Sequence, residues 1–275
     1  MVVAVADMHE GPTSDSPLVS QALLGENVGS LERSGDWVRI SGDDAYPGWV
    51  AREALAELGT AGRYPSSDRG FVISGLFANL YSEPDVTRRR PAITAPFGVR
   101  LSLESEGEGP GPDWVRLRLP DGRPVWLRSG DGSSESRPLG IRGSIALARR
   151  FLGLPYLWGG RSTFGFDCSG FTQLLARARG IRLPRDAHLQ AAGEGGVEVP
   201  PDQLRAGDFL YFGAGPDRVT HTGMYIGRGQ YVHASTQHRP GVQVGRLGEE
   251  PTTRNLVGAR RFAPERRRSR RPGIP

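Results

Sequence analysis

One cysteine in 275 residues excludes an intramolecular disulfide framework, and no cluster of Cys and His has the spacing of a zinc site. Apolar runs stay well short of the ~18 residues of a membrane span. Met1 to Ala6 has no basic n-region and too short an apolar stretch for a signal peptide. The expectation is therefore a cytoplasmic protein with no membrane partner, no metal and no other cofactor. A basic stripe interleaved with aromatics is missing too, although the formal charge is +5. Arg266, Arg267, Arg268, Arg270 and Arg271 against Glu265 place +4 of that charge in the last dozen residues, leaving the body near neutral. No nucleic-acid partner is expected, and residues 265–275 read as a disordered basic tail.

What is abundant is turn chemistry. Gly 39 and Pro 22 beside a hydrophobic fraction of 37% favour short strands over long helices. Between residues 1 and 60, β-rich runs at Val2–Ala6, Leu18–Leu24, Asn27–Leu31, Asp36–Ile40 and Gly48–Ala51 alternate with Gly, Pro, Ser and Asp clusters. Several short strands in so few residues suggest a small barrel. The plan then recurs. Asp36-Trp37-Val38-Arg39-Ile40 is echoed by Asp113-Trp114-Val115-Arg116-Leu117, and Gly48-Trp49-Val50 by Pro124-Val125-Trp126-Leu127. Two related barrels are expected, at 1–62 and 68–131. Their pattern resembles bacterial SH3-like domains.

Residues 131–138 read as a linker by composition. Beyond it, Ser144 is the expected cap of a helix through Ile145, Ala148, Phe151 and Leu152, ended by Gly153 and Pro155. A second helix is expected after Asp167, with apolar or small residues at Phe171, Leu174, Leu175 and Ala178 on one face. Pro184-Arg185-Asp186 opens a loop, and strands are expected at 208–212, 220–226, 230–234, 242–244 and 257–262. Helices followed by strands point to an α+β domain over 139–264.

Cys168 falls in the first turn of the second helix, with Asp167 as its N-cap. There the helix dipole and the unpaired N–H groups favour thiolate over thiol. A lone cysteine is more often a small buried residue, so the chemistry depends on a base. His221 and His233 flank the turn Gly227-Arg228-Gly229. A three-residue loop pairs 226 with 230 and 223 with 233, placing both histidines on one face; a two-residue loop puts them on opposite faces. On one face, His221 can take the thiol proton while His233 orients its imidazole. His9, His188 and His238 lack this context and read as structural or surface residues.

The runs Pro155-Tyr156-Leu157-Trp158-Gly159-Gly160 and Phe166-Asp167-Cys168-Ser169-Gly170-Phe171 are joined by His221-Thr222-Gly223-Met224-Tyr225-Ile226-Gly227 and Tyr231-Val232-His233-Ala234-Ser235. In that order they resemble the NlpC family of papain-like cell-wall cysteine peptidases. The resemblance implies a papain-like fold, Cys168 as nucleophile, His221 as base and His233 as third polar residue. It also implies Tyr156 beside the cysteine, and Asp167 and Ser169 in contact with the peptide. SH3-like barrels ahead of such a domain resemble one branch, the γ-D-glutamyl-L-diamino acid endopeptidases of the dipeptidyl-peptidase VI type. That branch implies peptidoglycan-derived peptides with a free N-terminal L-alanine as partners, cut after γ-D-glutamate, with meso-diaminopimelate or L-lysine next. It further implies a first barrel that limits the acyl side to two residues, and an amine pocket for which Asp186, Glu10 and Tyr46 are candidates. Ala187 stands where that branch would have a small hydroxyl residue. A monomer acting in cell-wall recycling is expected. The alternatives are an endopeptidase or amidase acting on intact peptidoglycan, an acyltransferase built on the same Cys-His core, and a wall-binding module.

Overall fold

The computed structural model describes residues 1–58, 62–65, 70–106, 111–134, 137–193, 195–237, 239–249 and 255–264; the basic tail and His238 lie outside the described residues. The first barrel is a five-stranded antiparallel sheet in the spatial order Leu18–Leu23, Val5–His9, Pro47–Ala51, Trp37–Ser41, Gly29–Ser34. Alternation along its strands turns Val38 and Ile40 inward and Arg39 outward, as the two-residue period of a pleat requires. The first strand begins three residues later than its composition suggests.

A second sheet, in the order Pro124–Arg128, Trp114–Arg118, Arg100–Glu106, Gly70–Ile73, Gly132–Ser133, repeats the plan. The echo in the sequence is an echo in pairing. Trp49 lies opposite His9 in the first barrel, and Trp126 opposite Tyr81 in the second. The stretch that reads as a linker is partly structural, because Gly132 and Ser133 pair with Ile73 and Val72. Leu23, Leu24 and Tyr64 bury into the second barrel's core, so the two barrels share apolar packing.

The third unit carries a six-stranded antiparallel sheet in the order Gly196–Glu198, Asn255–Phe262, Phe209–Gly213, Val219–Gly227, Gln230–Ser235, Gly241–Arg246. Helix α1 (Ile141–Arg150) and helix α2 (Cys168–Ala178) cover one face. Every residue of the central strand Phe209–Gly213 is buried, because Leu210 and Phe212 have a second apolar layer on the other face. Helix α1 starts one turn earlier than expected, with Gly140 as N-cap; Ser144 is an interior residue, wholly buried, with its hydroxyl on the Met224 sulfur. A short helix α3 (Ala187–Ala192) occupies what reads as loop.

Phe151, Phe166 and Phe171 are fully buried, with ring centroids 5.6–6.3 Å apart. Burying one such ring stabilises by about 1.5–3 kcal/mol. Phe97 of the second barrel meets Phe151 edge-on at 5.4 Å, and Thr163 donates to the Leu76 carbonyl at 2.6 Å. The second barrel is thereby fixed to the core that carries α2.

Candidate active site

The geometry begins at the start of α2. Asp167 adopts extended backbone (φ −87°, ψ 178°) and its Oδ1 accepts the Gly170 N–H at 2.7 Å, the bond expected of an N-cap. A Cβ on Gly170 would sit 2.1 Å from the Gly160 carbonyl oxygen, so only glycine lets the helix start approach the Gly159-Gly160 turn so closely. That turn returns a bond, Gly159 N–H to Asp167 Oδ2 at 3.0 Å.

Asp167 is more than a cap. The Arg185 guanidinium forks onto it, Nη1 to Oδ1 at 3.0 Å and Nη2 to Oδ2 at 2.5 Å, and Nη1 also reaches Ser169 Oγ at 2.8 Å. With the Ser169 hydroxyl donating at 3.2 Å as well, both carboxylate oxygens are committed within the protein. The geometry gives the Asp167 side chain a structural role. Its oxygens hold the helix start together.

The hairpin that carries the histidines combines both loop lengths considered from sequence. Arg228 (φ 56°) and Gly229 (φ 74°) form a two-residue turn with both central residues left-handed, closed by Gly227 opposite Gln230. Ile226 then bulges, and from Tyr225 opposite Tyr231 inward the register is the one that a three-residue loop would give. The bulge restores the shared face. A Cβ on Gly223 would lie 3.1 Å from His233 Cβ, and His221 follows two residues away on the same side. His221 Nε2 and His233 Nδ1 are 2.7 Å apart. Tyr231 meets His233 edge-on at 4.7 Å and Phe212 flanks His221 at 5.8 Å, so aromatic walls hold a pair that is 3% and 2% exposed.

Cys168 sits between helix and sheet. The backbone N–H dipoles of Thr222, the residue after His221, and of Ser169 act on its sulfur and favour the thiolate. Burial, and then the Asp167 charge, push the thiol up to about 11, against the pull of those N–H groups and of Arg185. The helix start alone does not make a thiolate here. The proton must go to a base, and with its Nε2 engaged by His233, His221 has Nδ1 for that task; the tautomer is assigned from the chemistry. Tyr156 forms a bridge to Phe166, two residues before Cys168. Among the described residues no group of three or more His, Cys, Asp and Glu could hold a metal ion.

The first barrel reaches this centre. The Tyr46 phenol faces the Asp186 carboxylate; burial first, then the Asp186 charge, holds the phenol above its ordinary value. Asp186 caps α3 by backbone only, its side chain being turned to Tyr46 instead of the helix N–H groups. Asp44 accepts from Gln173 of α2 at 3.0 Å and from the Tyr46 N–H at 3.2 Å, around the left-handed Ala45 (φ 58°). Arg161 donates to the side chain of Gln21 through its backbone N–H (3.0 Å) and to Gln173 through Nε (2.9 Å). Glu10 is exposed in the turn after the first strand, its N–H on the Pro17 carbonyl. His9 is a structural residue, bonded to the Ser16 carbonyl and edge-on to Trp37. Sequence reasoning missed Arg185, Gln173, Asp44 and Ser20, whose partners are far away in the chain.

Residues 153–261 match the model of the NlpC/P60 family, and residues 8–55 that of the bacterial dipeptidyl-peptidase Sh3 domain. The chain is 32% identical over 269 residues to a gamma-D-glutamyl-L-lysine dipeptidyl-peptidase of Bacillus cereus, covering 92% of this chain and 77% of that protein. A protein of the same name from Bacillus subtilis is 33% identical over 93% of this chain and 84% of its own. The crystal structure of an NlpC/P60 family protein from Bacillus cereus superposes with a TM-score of 0.83 at 28% identity, over 96% of this chain and 99% of that one.

Proposed function

The chain belongs to the NlpC/P60 family, and on that premise we propose that it is a cysteine peptidase cutting the γ-D-glutamyl-L-diamino acid bond of muropeptides that begin with a free L-alanine. The printed activity of the two Bacillus relatives supports the bond. The observation that carries the substrate's free amine is the Tyr46–Asp186 contact, in which a barrel phenol and a carboxylate meet beside the nucleophile helix.

The reaction follows from the groups present. His221 Nδ1 takes the proton from Cys168, and the sulfur attacks the γ-carbonyl of D-glutamate. The carbonyl oxygen, now anionic, is held by the Cys168 N–H, the first donor of α2 and one that no helical carbonyl can reach. His233 accepts from His221 Nε2 and steadies the imidazolium. His221 then protonates the departing amine of the diamino acid. Water, deprotonated by the same imidazole, splits the thioester and releases L-Ala-γ-D-Glu. Asp186 and Tyr46 bind the substrate ammonium, with Glu10 as a further carboxylate of the same pocket, and the first barrel leaves room for two residues before the cut bond. Tyr156 and Ser169 border the acyl site, and Ala187 gives it no hydroxyl at that position.

The test is Cys168→Ala. Release of L-Ala-γ-D-Glu from L-Ala-γ-D-Glu-L-Lys, followed by mass spectrometry, is expected to vanish while the far-UV circular dichroism stays that of the parent. Retained cleavage by the folded variant would remove Cys168 from its role.

A further inference from the structure

Arg185 is 1% exposed, and its guanidinium spends its donors in three directions. Nε donates to Ser20 Oγ of the first barrel at 2.9 Å, Nη1 to Asp167 Oδ1 and Ser169 Oγ, and Nη2 to Asp167 Oδ2. Its neighbour in sequence, Asp186, faces Tyr46. One buried cation therefore touches the cap of the nucleophile helix, the residue after the nucleophile, and the barrel that reaches the amine pocket.

A planar fork is needed for this set of contacts. An ammonium of lysine is a point charge and cannot span both oxygens of Asp167 while a third nitrogen reaches Ser20. All 35 basic residues of the chain are arginine, so no lysine stands elsewhere to compare.

The charges around the sulfur explain why the position matters. Asp167 precedes Cys168 directly and opposes ionisation of the thiol; Arg185 favours it. The other groups facing this centre are His221 and, through it, His233 on the sheet, and Asp186 and Tyr46 at the far side of Arg185. Thr222 and Ser169 contribute N–H dipoles. Arg185 and Asp167 thus act on Cys168 with opposite signs from one ion pair.

We propose that Arg185 is a positioning residue for the nucleophile, clamping the start of α2 to the first barrel through Asp167, Ser169 and Ser20 while cancelling the Asp167 charge at the Cys168 sulfur. The proposal rests on Cys168 being the nucleophile.

The single cysteine makes the test specific. Alkylation of the full-length protein by iodoacetamide, measured as rate against pH, reads one sulfur and needs no substrate, so a wrong substrate assignment leaves it interpretable. Loss of the proposed function itself would show in Cys168→Ala instead. Arg185→Met is expected to raise the apparent pKa of alkylation by about one unit, and Asp167→Asn, which keeps a good N-cap, to lower it by a similar amount. The double variant Asp167→Asn/Arg185→Met is expected near the parent profile, because both opposed charges are gone. Arg185→Lys is expected to keep most of the parent's pKa while losing kcat, because the charge survives and the fork does not. If Arg185→Met fails to fold, the downward shift of Asp167→Asn and its reversal in the double variant carry the test. Parent-like profiles in the folded single variants, or shifts of the same sign, overturn it.

Discussion

Replacing Asp186 with asparagine tests the amine pocket most finely when combined with acetylation of the substrate. Asp186 is half-buried and faces the Tyr46 phenol, so a substrate ammonium placed there meets a carboxylate and a phenol together. Two unit charges about 4 Å apart attract by about 4 kcal/mol at an effective dielectric near 20. Removing one member of such a desolvated pair costs about 2–5 kcal/mol, which is roughly thirtyfold to several-thousandfold in kcat/KM. Asparagine keeps the shape of the side chain and its place before α3, so the loss reports charge. The assay is kcat/KM for L-Ala-γ-D-Glu-L-Lys and for its N-acetyl form, each with the parent and with Asp186→Asn. The parent should lose on acetylation about what the variant loses on the free peptide. The variant should handle the acetylated peptide within about threefold of the parent, since the interaction is already absent. Equal losses on both peptides would refute the pocket and leave Asp186 a purely structural residue.

Two further outcomes follow from the geometry. Gly223→Ala drives a methyl to 2.9 Å from the Tyr231 ring and 3.1 Å from His233 Cβ, prising at the 2.7 Å histidine pair. Steady-state kinetics should show kcat falling about a hundredfold with KM little changed, and thermal unfolding a loss of about 1–3 kcal/mol; unchanged kcat would dismiss His233 as an orienting group. Glu26 sits at the joint between first barrel and peptidase unit, and burial, which raises its pKa, is outweighed by Arg161, Arg177 and the Leu23 N–H, so its folded value lies below 4.5. A depressed carboxylate contributes stability that is complete above its unfolded pKa and lost as pH falls through the folded one. Thermal midpoints measured from pH 6 down to pH 3 should therefore fall more steeply for the parent than for Glu26→Gln, and parallel curves would contradict the assignment.

The features legible in sequence are those written in short-range order. Asp167 before an apolar 3.6-residue period marks the start of α2, and two strands around Gly227-Arg228-Gly229 mark the hairpin. The bulge at Ile226 is less legible, since a turn with two left-handed residues and a longer loop look alike in composition. Ser144 misleads for a related reason: a serine ahead of an apolar run looks like a cap, while Gly140 and Gly143 disguise the turn before it. Helix α3 has six residues and follows a proline, too little for periodicity to register. The contacts that tie the barrels to the site leave no local trace at all. Arg185 finds Ser20 across 165 positions and Gln173 finds Asp44 across 129, and nothing in Pro184-Arg185-Asp186 distinguishes a buried hub from a surface arginine.

The central claim is that the barrel admits short free-amine peptides to Cys168 and little else. Parallel digestion of L-Ala-γ-D-Glu-L-Lys, its N-acetyl form and intact peptidoglycan, with products identified by mass spectrometry, tests it most directly. L-Ala-γ-D-Glu released from the free peptide alone is the predicted result. Cleavage of the acetylated peptide or of intact wall at a comparable rate would contradict it.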